Sequence, residues 1–173
     1  MIPLHYGDNK PKYKRWAIYC ALLAIAVLLQ NSIGGILDFF GARVFLSIPL
    51  CVAIAMFERE VPAAVFGVFA GVLWDVSSGV DGFNAVVLMA ISSVSSLFIS
   101  HLMRNNIITS FVLGAGGIAS YELVYFITRF WGSGNPIRQI ISFYLPSLII
   151  TLVFVPVCYI VVKSVYNSYR IAE

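Results

Sequence analysis

Charge is what this sequence has least of. Only 11 % of its 173 residues are Asp, Glu, Lys or Arg, against about 25 % in an ordinary soluble domain. A soluble core wrapped in a charged shell is therefore excluded. Histidine and cysteine are also scarce, with two of the first and three of the second. Cys20, Cys51 and Cys158 each lie inside an apolar run without metal-ligand spacing, and they read as small lipid- or core-facing residues. His5 and His101 have no ligand partner at useful spacing. No metal cluster, nucleophile with a base, or phosphate-cradling loop can be picked out, so neither an enzyme nor a cofactor or nucleic-acid binder is expected.

What is present is apolar length. Hydrophobic residues make up 60 % of the chain, and the mean hydropathy is +0.92. Backbone polar groups in lipid must be satisfied within their own segment, so these runs are read as helices. Six are expected, at about 16–33, 44–57, 61–76, 83–102, 107–130 and 140–162. The chain then divides into a basic tail (1–15), a six-helix membrane domain (16–163) and a short C-terminal tail (164–173). The first run follows Lys10, Lys12, Lys14 and Arg15, is too long for a signal-peptide core and lacks a clear cleavage site, so it is expected to stay. The second and third runs are short. A run such as 44–57 reaches only about 21 Å, below the ~30 Å of hydrocarbon.

The basic residues give the chain a direction. With six crossings, Lys10, Lys12, Lys14, Arg15, Arg59, Arg104, Lys163 and Arg170 share one side, and Arg43, Arg129 and Arg138 the other. The richer side is expected to be cytoplasmic, with both termini there. A re-entrant hairpin for runs two and three would instead bury Arg59 beside Glu58 and Glu60, which is costly. Pro49, Pro146 and Pro156 are expected to kink helices two and six. Pro62 falls near the first turn of helix three, where its missing N–H costs nothing.

Several constellations stand out. Ala63, Gly67, Gly71 and Asp75 recur every four residues and share a helix face. Small residues at that spacing admit a close helix, either from this bundle or from a partner. Asp75 closes the face, followed by Gly79, Asp81, Gly82 and Asn84. Gly79 suits a helix C-cap and Asp81 an N-cap, which makes a capped turn. Alternatively, Asp75 and Asn84 shape the loop for a partner or ligand. Ser92, Ser96 and Ser100 form a serine row on helix four, a mark of close helix packing. Glu122 is the one acid well inside an apolar run, with Tyr121, Tyr125 and Arg129 along the same side. Arg129 lies about 10 Å further along the axis. Glu122 therefore leans toward Arg129, sits protonated against a tyrosine, or meets a partner's donor. The basic tail suits anionic lipid or an acidic cytoplasmic partner.

Glu58-Arg59-Glu60, then Phe66-Gly67-Val68-Phe69-Ala70-Gly71-Val72-Leu73-Trp74-Asp75, then Ser78-Gly79, Gly82 and Asn84-Ala85 resembles the rod shape-determining MreD family. Leu28-Leu29-Gln30 and Ser47-Ile48-Pro49-Leu50 are similar to that family's opening. Trp74 and Asp81 stand where the family has an aliphatic residue and an uncharged loop residue. The resemblance implies a non-enzymatic scaffold of the bacterial cell-elongation machinery, in the cytoplasmic membrane. Its implied partners are MreC, MreB, RodA and a class B penicillin-binding protein. Ala63, Gly67, Gly71, Ser92 and Ser96 would then seat partner helices. A different class shares the six-helix architecture: the substrate-binding S components of energy-coupling-factor vitamin transporters. These dock through small residues in helix one, where this chain has Ala17 and Ala21.

Overall fold

A computed structural model describes residues 10–37, 44–79, 82–130 and 145–169. Among them the chain is all α, with six helices: α1 (Lys10–Leu37), α2 (Ser47–Ala55), α3 (Glu60–Ser78), α4 (Phe83–His101), α5 (Ile107–Phe130) and α6 (Leu145–Ser168). Five of these, all but α2, are long and apolar enough to cross a membrane. Their outer faces carry Leu28, Val65, Val76, Ile108, Val153 and many similar exposed side chains. The molecule is a multi-pass membrane protein in composition and in shape.

α2 is the exception. Its nine residues reach only about 14 Å, and every one of them is buried. It touches all five other helices and forms the centre of the core, with Ile48, Val52 and Ile54 out of contact with solvent or lipid. The expected helix over 44–57 is thus shorter, because both its ends are non-helical. Those ends need other partners for their backbone groups. Before α2, Phe45 N–H donates to Thr151 Oγ1 at 3.2 Å, and Ser47 N–H donates to Gln30 Oε1 at 3.2 Å. After α2, Asn105 Nδ2 donates to the Met56 carbonyl at 2.8 Å, and Ser96 Oγ to the Glu58 carbonyl at 2.9 Å. Side chains from α1, α4, α6 and the α4–α5 connection stand in for the missing helical ladder.

The third helix is longer than its apolar run predicts. α3 has 19 residues and is a candidate span in its own right. Pro62 falls in its first turn, and Asp75 stays inside the helix because its carboxylate has partners. Gly79, at φ 66°, ends it by turning left-handed and donating its N–H to the Asp75 carbonyl. The expected kinks also shift. Pro49 lies in the first turn of α2 and Pro146 in the first turn of α6 as described, so only Pro156 is interior to its helix.

α1 begins and α6 ends beyond their apolar cores. α1 has 28 residues, or about 42 Å, which carries Lys12, Lys14 and Arg15 past the end of its apolar stretch. α6 runs past Val162 to Ser168, so the boundary expected at 163 falls inside a helix.

Candidate functional site

Among the described residues, the α3–α4 hairpin is the most extensive helix pairing. Ala63, Gly67 and Gly71 lie buried along α3, and the helix that Gly67 and Gly71 meet is α4 of the same chain. A Cβ at Gly67 would stand 2.6 Å from the Leu88 carbonyl oxygen and 2.7 Å from Ser92 Oγ. A Cβ at Gly71 would overlap the backbone of Ala85. The glycines are thus required by backbone approach, and this face is filled from within the chain. Ser92 and Ser96 of α4 are buried on the same side, Ser96 holding the Glu58 carbonyl as described. Ser100 is exposed.

At the far end of the hairpin, Asp75 does two jobs in one position. Its Oδ1 accepts from the Asn84 N–H at 3.1 Å and its Oδ2 from the Ala85 N–H at 2.9 Å. A carboxylate from α3 therefore satisfies free N–H groups in the first turn of α4, where negative charge also complements the helix dipole. Gly82, at φ 72°, leads the chain into α4. Asp81, the expected N-cap, lies outside the described residues. Asn84 turns its own Oδ1 to the Tyr121 hydroxyl, 2.8 Å away. The Tyr121 ring stacks on Trp74 at 5.2 Å and lies 5.3 Å from Phe45. Asp75, Asn84, Trp74 and Tyr121 so form one connected plug between α3, α4 and α5. Sequence reading placed Tyr121 only as a neighbour of Glu122. Its link to Asn84 depends on helix register, which spacing alone does not show.

Glu122 is buried, and its Oε1 has no hydrogen-bond partner among the described residues. The side chain of Arg129 lies outside them, so that pairing is not described.

The opposite end of the bundle is basic. Arg15 Nη2 contacts Glu58 Oε1 at 2.8 Å, with both side chains largely buried. The same guanidinium lies 4.9 Å from the Tyr166 ring centre, and Phe57 packs on Tyr159 and Tyr166. Lys12 sits over Trp16 and Lys163 over Tyr159. Burial pushes the Glu58 carboxyl above its ordinary range, while Arg15, the Trp16 indole and Lys12 pull it back without cancelling the effect. This latch joins the start of α1, the α2–α3 turn and the end of α6. The sequence presents Glu58 only as a loop acid, since Arg15 is remote along the chain.

No three His, Cys, Asp or Glu side chains converge as a metal site among the described residues. No family model, curated protein or solved structure matches the chain.

Proposed function

We propose that this protein is a non-catalytic, multi-pass scaffold of the bacterial cell-elongation machinery, seated in the cytoplasmic membrane. The observation that carries the reading is the stretch 58–85. It resembles the MreD family, and its distinctive residues build a helix hairpin: Gly67 and Gly71 admit the α4 backbone, and Asp75 caps α4. Polar groups spent on such a joint are suited to holding shape rather than turning over a substrate. With that face closed by α4, partner helices meet the lipid-facing sides of the bundle. The exposed Ala17, Ala21 and Leu28 of α1 offer one such side. The partners are those of the resemblance: MreC, MreB, RodA and a class B penicillin-binding protein.

The topology that goes with this function has six crossings and both termini in the cytoplasm. Arg15 meets Glu58, Asn105 meets Met56, and Arg15 lies over Tyr166. Such contacts gather Arg15, Arg59, Arg104 and Lys163 toward one end, as the positive-inside rule asks of a cytoplasmic face. α2 with its non-helical leads makes the return from the Gln30 level of α1 to its Arg15 level. Non-helical backbone at that depth is tolerated because protein, not lipid, surrounds it.

A second reading, an S component of an energy-coupling-factor transporter, draws on Glu122 Oε1, which has no hydrogen-bond partner among the described residues, as a ligand contact. Copurification from native membranes after mild crosslinking separates the two. Recovery of a single-span, coiled-coil periplasmic protein is expected. Recovery of transporter ATPases with a bound vitamin, and no such protein, would refute the scaffold.

A further inference from the structure

We propose that the groove between α4 and α5 holds one acyl chain of an anionic phospholipid, drawn from the leaflet at the basic end of the bundle. This stands whether or not the scaffold reading holds. The groove has a volume of about 570 Å³. Ala90, Val94 and Phe98 form one wall, Leu113, Gly116 and Ser120 the other, and Met103 stands at one end. Its floor is closed where α5 meets α4: a Cβ at Gly117 would lie 3.1 Å from Ile91. Above that floor the helices part, and a Cβ at Gly116 would meet no atom within 4 Å.

Length decides the occupant. The α4 wall runs from Val86 to Phe98, about 18 Å at ~1.5 Å per residue. That matches one leaflet, half of the ~30 Å hydrocarbon core, and falls short of a spanning helix. The trough is a slot between two helices that still touch at its floor.

Charge selects the headgroup. His101 lies one turn beyond Phe98 on the groove's row, and Arg104 follows Met103 at its mouth; both are exposed. Arg104 has no carboxylate partner among the described residues, and no acid occurs in α4 or in the connection 102–106. A phosphate at the mouth with its tail in the trough satisfies both features.

Native mass spectrometry of the full chain, extracted in mild detergent and titrated with dioleoyl-phosphatidylglycerol or dioleoyl-phosphatidylcholine, tests this. The wild type should retain a single phosphatidylglycerol about fivefold better than phosphatidylcholine, the effect of one well-placed cation. Arg104→Gln should erase the preference but keep a lipid bound. Gly116→Leu, which grows into open space, should lose both lipids while melting no lower than the wild type. Ala90→Phe fills the other wall and should do the same. Unchanged retention in both groove-filling variants would overturn the proposal. So would a preference that survives Arg104→Gln combined with His101→Gln, or groove-filling that releases a copurifying protein while lipid stays bound.

Discussion

α4 treats two of its neighbours, α3 and α5, in opposite ways. Against α3 it closes to backbone contact, with Gly67 and Gly71 leaving room for Leu88 and Ala85. Against α5 it touches along a floor near Ile91 and then opens into a groove beside Gly116. Both interfaces contain small residues. A small residue at a membrane helix surface therefore marks either an approach already made or a space left open. Only the neighbour's position tells which.

Substitutions can break this contrast. The largest effect belongs to Gly71→Leu, which drives a branched side chain into the Ala85 backbone. Its cost should exceed the ~3 kcal/mol usual for overpacking, and folded, monodisperse protein should be lost in size-exclusion chromatography. Glu58→Ala comes next. It touches neither interface but leaves Arg15 buried and unpaired, costing about 3 kcal/mol in thermal unfolding in detergent. That loss should be relieved by also replacing Arg15 with Met, which a pure loop defect would not allow. Asp75→Ala removes the acceptor for two N–H groups of α4 and should cost about 2 kcal/mol. Asp75→Asn, which keeps one acceptor, should lie between. The smallest effect has the opposite sign. Gly116→Ala faces open space and should stabilise by about 0.5–1 kcal/mol through helix propensity, while Gly71→Ala should destabilise. Equal responses at Gly71 and Gly116 would erase the distinction between the two interfaces.

The sequence discloses the α3 face because four-residue spacing is a local property of a helix. It also discloses the basic end, because charge sorts by loop. It does not disclose what each small or polar residue touches. Gly114, Gly116 and Gly117 look equivalent along α5, yet one abuts Val155, one faces open space and one packs on Ile91. Asp75 reads as a helix end until α4 folds back and presents its free N–H groups. Gln30 reads as the polar close of the first helix, but it is buried and holds Ser47 by both N–H and hydroxyl. The length of α2 was obscured for the same reason. Its apolar run extends over residues whose backbone is secured by Thr151 and Asn105, far away in sequence.

That short, buried α2 is the pivot of the account, because it sets the side on which the α3–α4 hairpin begins. Paired fusions of a fluorescent protein and alkaline phosphatase after Glu60 and after Gly79 measure it directly. Six crossings predict fluorescence without phosphatase activity at Glu60 and the reverse at Gly79. Phosphatase activity at Glu60 would mean that α2 does not carry the chain back across the membrane, and the topology proposed above would fall.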